Sequence, residues 1–149
     1  MNKPEQAASL MAEHRMNCSQ AIFSVFCEDL GLNRNTALKI AMGFGGGMAR
    51  TGKTCGAVTG SYMVLGLAQQ ISIDNPRASL EKTYALIREF NRRFKAIHGS
   101  LLCKTLLGRD LNTRKGLTAA RDKNLFTSVC PDFVGDAARI LEALLTPPL

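Results

Sequence analysis

The chain has 149 residues, of which 46% are hydrophobic and 21% charged, and its formal net charge is +7. A chain of this length buries one sizeable core, so we expect a single helical four-cysteine domain over residues 1–149. It opens Met-Asn-Lys-Pro-Glu-Gln, without the apolar run of a secretory signal, which predicts a cytoplasmic location. In that reducing compartment the five cysteines do not predict a permanent disulfide framework.

One segment, residues 54–73, has no charged residue and is long enough to cross a bilayer. It nevertheless contains Thr59, Ser61, Gln69, Gln70 and Ser72, and its small residues recur at helical spacing. These features favour a helix buried inside a soluble protein, so we predict no membrane span.

The positive charge is concentrated between Arg77 and Lys123, where twelve Lys or Arg stand against four Asp or Glu. A docking face for an acidic partner or for nucleic acid would account for this excess. No groove-reading or aromatic-interleaved motif accompanies it, however. We therefore predict solvated helix faces and no nucleic-acid partner.

The spacing of apolar residues is helical along most of the chain, and no run of alternating residues indicates a strand. We predict an all-α, single-domain bundle of about five to seven helices. Asn17 and Gln20 form a predicted capping box, and Asp74 or Asn75 caps the longest helix. The predicted helices cover about residues 4–14, 18–30, 35–42, 54–71, 76–98, 101–107 and 131–145, with a basic connection before the last helix and a stop at Pro147 and Pro148.

Residues 47–54 read Gly-Met-Ala-Arg-Thr-Gly-Lys-Thr and match G-x-x-x-x-G-K-[ST], the signature of a phosphate-binding loop. Such a loop connects a buried strand to a helix, and another strand of the same sheet supplies a magnesium-binding Asp. Here a predicted helix with Lys39 inside it precedes the glycines, and no later apolar run ends in a suitable Asp. We therefore do not predict nucleotide hydrolysis.

Four cysteines, Cys18, Cys55, Cys103 and Cys130, each fall in the first turn or at the cap of a predicted helix. Unpaired N–H groups and the helix dipole favour a thiolate there, and thiolates attack disulfides and bind metals. Cys27 lies about half a turn from Cys18 around the same helix, so we interpret it as an ordinary buried thiol. The lack of a C-x-x-C pair argues against a zinc knuckle and against a thioredoxin-like site.

Gly52, Gly56 and Gly60 recur every four residues, which predicts a bare helix face that another backbone can approach. Because nothing bulky shields Cys55 on that face, we predict it as the best-exposed attacking thiol. Gly56 and Gly60 are also predicted to border a bound cofactor. The thiols that would resolve a disulfide or complete the site are Cys18, Cys103 and Cys130.

Two histidines precede cysteines closely: His14 lies four residues before Cys18, and His98 lies five before Cys103. Either could be a metal ligand or a proton carrier. Both lie near predicted helix C-termini, where an imidazolium interacts favourably with the dipole. We therefore predict structural roles for both.

Several segments form a pattern that extends over nearly the whole chain: Asn17–Ala21, Gly43–Met48, Cys55–Gly60, Met63–Leu67, Gly99, Cys103, Leu106–Gly108 and Cys130–Pro131. In order and context they resemble the redox-active proteins named for a C-GCAxxG-C-C pattern. The Gly-Lys-Thr at 52–54 is not part of that pattern. The resemblance implies an all-helical cytoplasmic domain. Related segments attached to haem-bearing cytochromes carry an iron-sulfur centre, which implies that Cys18, Cys55, Cys103 and Cys130 could ligate a cluster here.

The first functional hypothesis is redox chemistry at the four cysteines, either by reversible disulfide formation or by electron transfer through a cluster that they hold. The second is a structural or sensing module in which zinc or iron ties helices together. A third is a helical partner-binding protein that uses the basic segment. We favour a homodimer, while the redox partner, the pairing of the cysteines and any substrate are left open, as is the question of whether the protein is an enzyme.

Overall fold

The computed structural model describes residues 1–146, and the predicted stop at Pro147 and Pro148 lies outside them. The all-α prediction is confirmed. The helices are α1 Lys3–Ala12, α2 Cys18–Cys27, α3 Arg34–Ala41, α4 Gly45–Met48, α5 Gly56–Leu67, α6 Pro76–His98, α7 Cys103–Leu107, α8 Arg114–Asp122, α9 Leu125–Ser128 and α10 Cys130–Leu145, with short 3-10 turns at Glu28–Leu30 and Met42–Phe44. Of these, α4 is a single irregular turn, because Gly46 and Gly47 within it have left-handed backbone angles.

The start of α2 is determined by the capping box that the sequence predicts. The Asn17 side chain accepts a hydrogen bond from the Gln20 amide at 2.9 Å, and the Gln20 side chain accepts one from the Asn17 amide at 3.2 Å. The Asn17 side chain also donates to the Met42 carbonyl at 2.9 Å. This residue therefore connects the first turn of α2 to the chain just before the glycine-rich segment.

The close contact between α2 and α5 depends on two glycines. A Cβ on Gly56 would lie 2.9 Å from the Ser19 amide nitrogen, and a Cβ on Gly60 would lie 2.8 Å from the Ser19 carbonyl oxygen and would overlap Ile22. The bare face predicted from the four-residue spacing is therefore real, and α2 covers it. Gly52 does not belong to this row, because it lies in a turn before α5 with φ +72°.

The core is formed where α10 packs on α1, α5 and α6 and where α2 packs on α5. Its members include large side chains with no exposed surface: Ile22, Val58, Val64, Leu65, Phe90, Phe94, Val134 and Leu141. Three of these lie on α5, which agrees with its predicted central position. Within residues 1–146, none of the helices combines the length and apolarity that a membrane crossing requires.

The stretch predicted as a basic connection contains two helices, α8 and α9. Thr113 caps α8 by accepting a hydrogen bond from the Gly116 amide at 3.0 Å. Ala120 of α8 is buried, and it packs with Leu111 and Cys103 in a small second core. This part of the chain therefore covers the helix that carries Cys103.

Candidate functional site

The prediction that four cysteines lie at helix starts is confirmed. Cys18, Cys103 and Cys130 are the first residues of α2, α7 and α10, and Cys55 is the N-cap residue of α5. The cap of α10 is Val129 rather than Cys130 as predicted. The fold brings these four starts together, because all four cysteines line one cavity of about 20 Å³. A cavity of that volume is large enough for about one water molecule.

All four cysteines are buried, and Cys18 is the most exposed of them. The exposed fraction is 8% for Cys18, 6% for Cys103 and 4% for both Cys55 and Cys130. The prediction that Cys55 is well exposed is therefore wrong. The reason is the same close packing of α2 on α5 that the glycines permit, because it places the first turn of α2 over Cys55 and its neighbours.

Cys55 and Cys103 are held beside each other by backbone hydrogen bonds. Thr54 and Leu102 form an isolated antiparallel bridge. Within it the Cys55 amide donates to the Leu101 carbonyl at 2.8 Å, and the Cys103 amide donates to the Lys53 carbonyl at 2.7 Å. These backbone bonds fix the starts of α5 and α7 relative to each other, independently of any side-chain interaction. No feature of the sequence predicted this pairing.

A left-handed turn forms another wall of the cavity. Five consecutive residues from Gly46 to Arg50 have φ between 55° and 68°. For a non-glycine residue such a conformation costs about 1–2 kcal/mol, so the turn is strained at its last three positions. Gly47 is required because a Cβ there would lie 2.7 Å from the Cys103 Cβ. Thr51 supports the turn, since its hydroxyl donates to the Gly47 carbonyl at 2.8 Å.

This geometry also explains the apparent phosphate-loop signature in residues 47–54. Helix α3 and a 3-10 turn precede it, where a nucleotide-binding loop would follow a strand. Its first glycine contacts Cys103, and its last residue, Thr54, pairs with Leu102. The conformation of the segment therefore serves to position thiols.

Cys18 is the central thiol of the cluster. Its side chain lies beside those of Cys130 and Cys55 in the cavity, near enough for both to act on its pKa. These contacts, first with Cys130 and then with Cys55, raise the pKa of Cys18 well above its ordinary value, and burial adds to the effect. Cys18 therefore stays protonated and is available as a hydrogen-bond donor to either neighbour.

Cys55 has the opposite character. The hydrogen bond with Cys18 is the largest influence and lowers the pKa of Cys55, and burial opposes it. The backbone amides of Ala57 and Val58 lower the pKa of Cys55 further. Their contacts with the Cys55 side chain are weak, because this side chain makes no capping hydrogen bond of regular geometry. Burial is the main cause that raises the pKa of Cys103 to about 12, and nearby Cys55 and Cys130 add to it. Of Cys55 and Cys103, Cys55 is thus the thiol that ionises at the lower pH.

The lowered pKa of Cys55 gives a prediction for a pH titration. The thiolate is the stabilised form in the folded protein, so ionisation should occur below the pKa of an unfolded cysteine and be lost as pH falls through the folded value. The difference in thiolate ultraviolet absorbance between the wild type and Cys55→Ser, followed against pH, isolates this step. A midpoint at or above the value measured in denaturant would contradict the prediction.

The other candidate residues lie outside the cavity. Cys27 is fully buried, as predicted, and its thiol contacts the Ser24 carbonyl at 3.4 Å. His98 Nε2 lies 3.0 Å from an Asp136 carboxylate oxygen, and its ring packs against Phe94 and Phe133. His14 is exposed and has a positive φ of 56°. Neither histidine lines the thiol cavity.

The four cysteines of the cavity are candidate metal ligands, so their arrangement bears on whether a metal fits the site. Across residues 1–146, no group of three or more His, Cys, Asp or Glu side chains is arranged to hold a metal ion. The thiols gather around one cavity but do not form a ready coordination sphere. Ligation by Cys18, Cys55, Cys103 and Cys130 accordingly stays a prediction.

The fold and the cavity together define a class: an all-α protein with buried thiols gathered at the amino ends of helices. The chain belongs to the family described as "Putative redox-active protein (C_GCAxxG_C_C)", whose model matches residues 16–144. It is also similar to an uncharacterised protein of Archaeoglobus fulgidus, with 28% identity over 142 residues that cover 91% of this chain and 87% of that protein. No solved structure matches the chain.

Proposed function

We propose that this protein carries out two-electron thiol–disulfide exchange with Cys18 as the shared thiol. The observation that supports this most is that Cys18, Cys55 and Cys130 line one small cavity, where Cys18 lies beside the other two. Exchange requires neighbouring sulfurs, one of which ionises readily. Cys55 meets the second requirement, since its pKa is lowered.

The roles of the individual thiols follow from their surroundings. We assign Cys55 the internal attack on Cys18, because its thiolate is stabilised and the two side chains are already in contact. Cys130 is the alternative partner of Cys18 on its other contact. Cys103, whose pKa is raised to about 12, is the least suited to attack. It would support the cavity through its backbone pairing with Lys53.

The metal alternatives are a cluster or a zinc ion held by all four cysteines. Four thiolates would satisfy a two-iron cluster or a tetrahedral zinc site, and the convergence of four cysteines on one cavity favours these readings. The arrangement of the side chains in residues 1–146 does not favour a metal, because no group of three or more ligands is placed to hold one. A cofactor role for Gly56 and Gly60 also gains little support, because Ser19 and Ile22 occupy the space beside them.

One preparation tests both alternatives. Protein purified under anaerobic conditions is examined by absorbance and assayed for iron, zinc and acid-labile sulfide, and its thiols are counted before and after a mild disulfide oxidant. We expect no stoichiometric metal, all five thiols free at the start, and the loss of two thiols for each disulfide formed. A stoichiometric metal, or thiols that resist the oxidant under conditions where the unfolded chain reacts, would contradict the proposal.

We also propose a homodimer, formed through apolar side chains on the surface. The glycine face of α5 is covered internally by α2, so it offers no interface. A separate group of exposed apolar side chains lies in the α5–α6 connection and along the start of α6: Ile71, Ile73, Leu80 and Tyr84. Their exposed fractions lie between 48% and 94%, which is suited to contact with a second copy.

A further inference from the structure

A large open cleft lies directly outside the thiol cavity. Its volume is about 770 Å³, within the range of about 300–1,000 Å³ typical of small-molecule sites. Residues from the end of α1, the start of α2, the left-handed turn and the α8–α9 region line it. Three residues, Cys18, Gly46 and Phe126, border both the cleft and the cavity. Cys18 is therefore the thiol that a molecule in the cleft would meet.

The lining of this cleft is cationic. Arg15, Arg50 and Arg121 line it together with His14, and no Asp or Glu does. Arg15 is partly neutralised by Glu13 at 3.2 Å. Within the described part of the chain, Arg50 and Arg121 form no salt bridge. Two guanidinium groups are thus available to an anionic ligand, and their fork of donors suits carboxylate or phosphate oxygens.

The strained turn contributes to this charge directly. Arg50 is the last of its five left-handed residues, and the Arg50 Cγ lies 2.8 Å from the position that a Cβ on Gly46 would occupy. The arginine stem therefore lies across Gly46, at the border between the cleft and the thiol cavity. Strained backbone conformations are commonly retained at active sites and ligand-binding sites. Here the strained turn places the charge of Arg50 beside the entrance to a reactive thiol.

We propose that this cleft binds a low-mass anionic disulfide and presents one of its sulfurs to Cys18. This inference rests on the proposed exchange function and adds to it the class of substrate. The size of the cleft favours a small molecule over a protein loop, and the unpaired arginines favour negative charge.

The reaction balances as follows for a disulfide RSSR. Cys18 attacks one sulfur of RSSR and forms a mixed disulfide, its proton passes to the Cys55 thiolate, and RS⁻ leaves. That RS⁻ takes the proton from Cys55 and departs as RSH. The restored Cys55 thiolate attacks the Cys18 sulfur, the Cys18–SR bond breaks, and a second RS⁻ leaves. RSSR is reduced by two electrons, and Cys18 and Cys55 are oxidised to a disulfide.

Three disulfides of similar size separate charge from reactivity: dianionic 3,3′-dithiodipropionate, neutral bis(2-hydroxyethyl) disulfide and dicationic cystamine. Each oxidises the full-length protein, and each rate is divided by the rate of the same disulfide with 2-mercaptoethanol, a thiol that carries no other charged group. We expect the dianion to be favoured over the neutral compound by about tenfold at low salt, the lower end of electrostatic steering effects. Cystamine should be slowest, and added salt should reduce the differences.

The double variant Arg50→Gln/Arg121→Gln should lose most of the preference for the dianion, measured as the ratio of its normalised rate to that of the neutral disulfide. Arg77→Gln, on α6 and outside the cleft lining, is the control and should keep the preference. Circular dichroism checks that the double variant is folded.

Equal normalised rates for the three disulfides would overturn this inference and leave the exchange function standing. Retention of the preference in the double variant would overturn the assignment to this cleft. If no disulfide oxidises Cys18 or Cys55, the proposed function fails and this inference fails with it.

Discussion

Replacing Cys18 by serine is expected to abolish disulfide formation within the thiol cluster. Cys18 is the side chain that contacts both Cys55 and Cys130, so its loss removes the shared partner of both candidate bonds. Serine preserves the size of the side chain and its hydrogen-bonding capacity, so the cavity should remain formed. The measurement is the rate of thiol loss during oxidation with a neutral disulfide, which should fall by about a hundredfold or more if only uncatalysed background exchange remains.

Cys27→Ser is the matched control for this experiment. Cys27 lies at the other end of the same helix and does not line the cavity. Its oxidation kinetics should equal those of the wild type, apart from the one missing thiol. A Cys18→Ser variant that still closes a disulfide at the wild-type rate would show that Cys18 is dispensable. The pairing would then have to involve Cys55, Cys103 and Cys130 alone.

Replacing Gly60 by alanine should strongly destabilise the protein. The added methyl group would overlap Ile22 and lie 2.8 Å from the Ser19 carbonyl oxygen. Because the second neighbour is backbone of α2, relief requires the two helices to separate. We expect a loss of about 3 kcal/mol in the free energy of unfolding, the upper end of typical overpacking costs. Urea denaturation followed by circular dichroism measures it.

Gly66→Ala gives the opposite expectation on the same helix. Nothing lies within 4 Å of the position that its Cβ would occupy. Alanine there should stabilise the protein by about 0.5–1 kcal/mol, the ordinary difference between glycine and alanine in a helix. Equal effects at the two positions would contradict the packing described for α2 and α5. Because the first turn of α2 covers Cys55, separation of α2 from α5 in Gly60→Ala should also accelerate the reaction of Cys55 with a small alkylating reagent.

The parts of this structure that could be predicted are those governed by local signals. Asn17 and Gln20 predict the start of α2 through their spacing alone. Of the two caps predicted for α6, Asp74 and Asn75, the structure has Asn75, whose side chain accepts from the Ala78 amide at 3.2 Å. The position of Cys18 at a helix start follows from the Asn17 cap. The positions of Cys55, Cys103 and Cys130 at helix starts are similarly local and agree with the predictions.

The parts that could not be predicted depend on contacts between distant segments. The pairing of Thr54 with Leu102 leaves no trace in the pattern of either segment. The left-handed turn at Gly46–Arg50 includes alanine and arginine, which local preference would not place there. Four of the nine residues of helix α8 are charged, and its apolar residues Leu117 and Ala120 pack in the small core around Cys103. The burial of Cys55 follows from the packing of α2 on α5. The spacing of the glycines predicts that another helix comes close to α5, but it does not predict that this helix covers Cys55.

The most direct test of the central claim is peptide mapping by mass spectrometry after mild oxidation of the folded protein, with free thiols blocked at the moment of quenching. The account predicts a peptide that joins Cys18 to Cys55, accompanied or replaced by one that joins Cys18 to Cys130, while Cys27 is recovered as a blocked thiol. Recovery of all the cluster cysteines as thiols, or a bond that leaves Cys18 free, would contradict it.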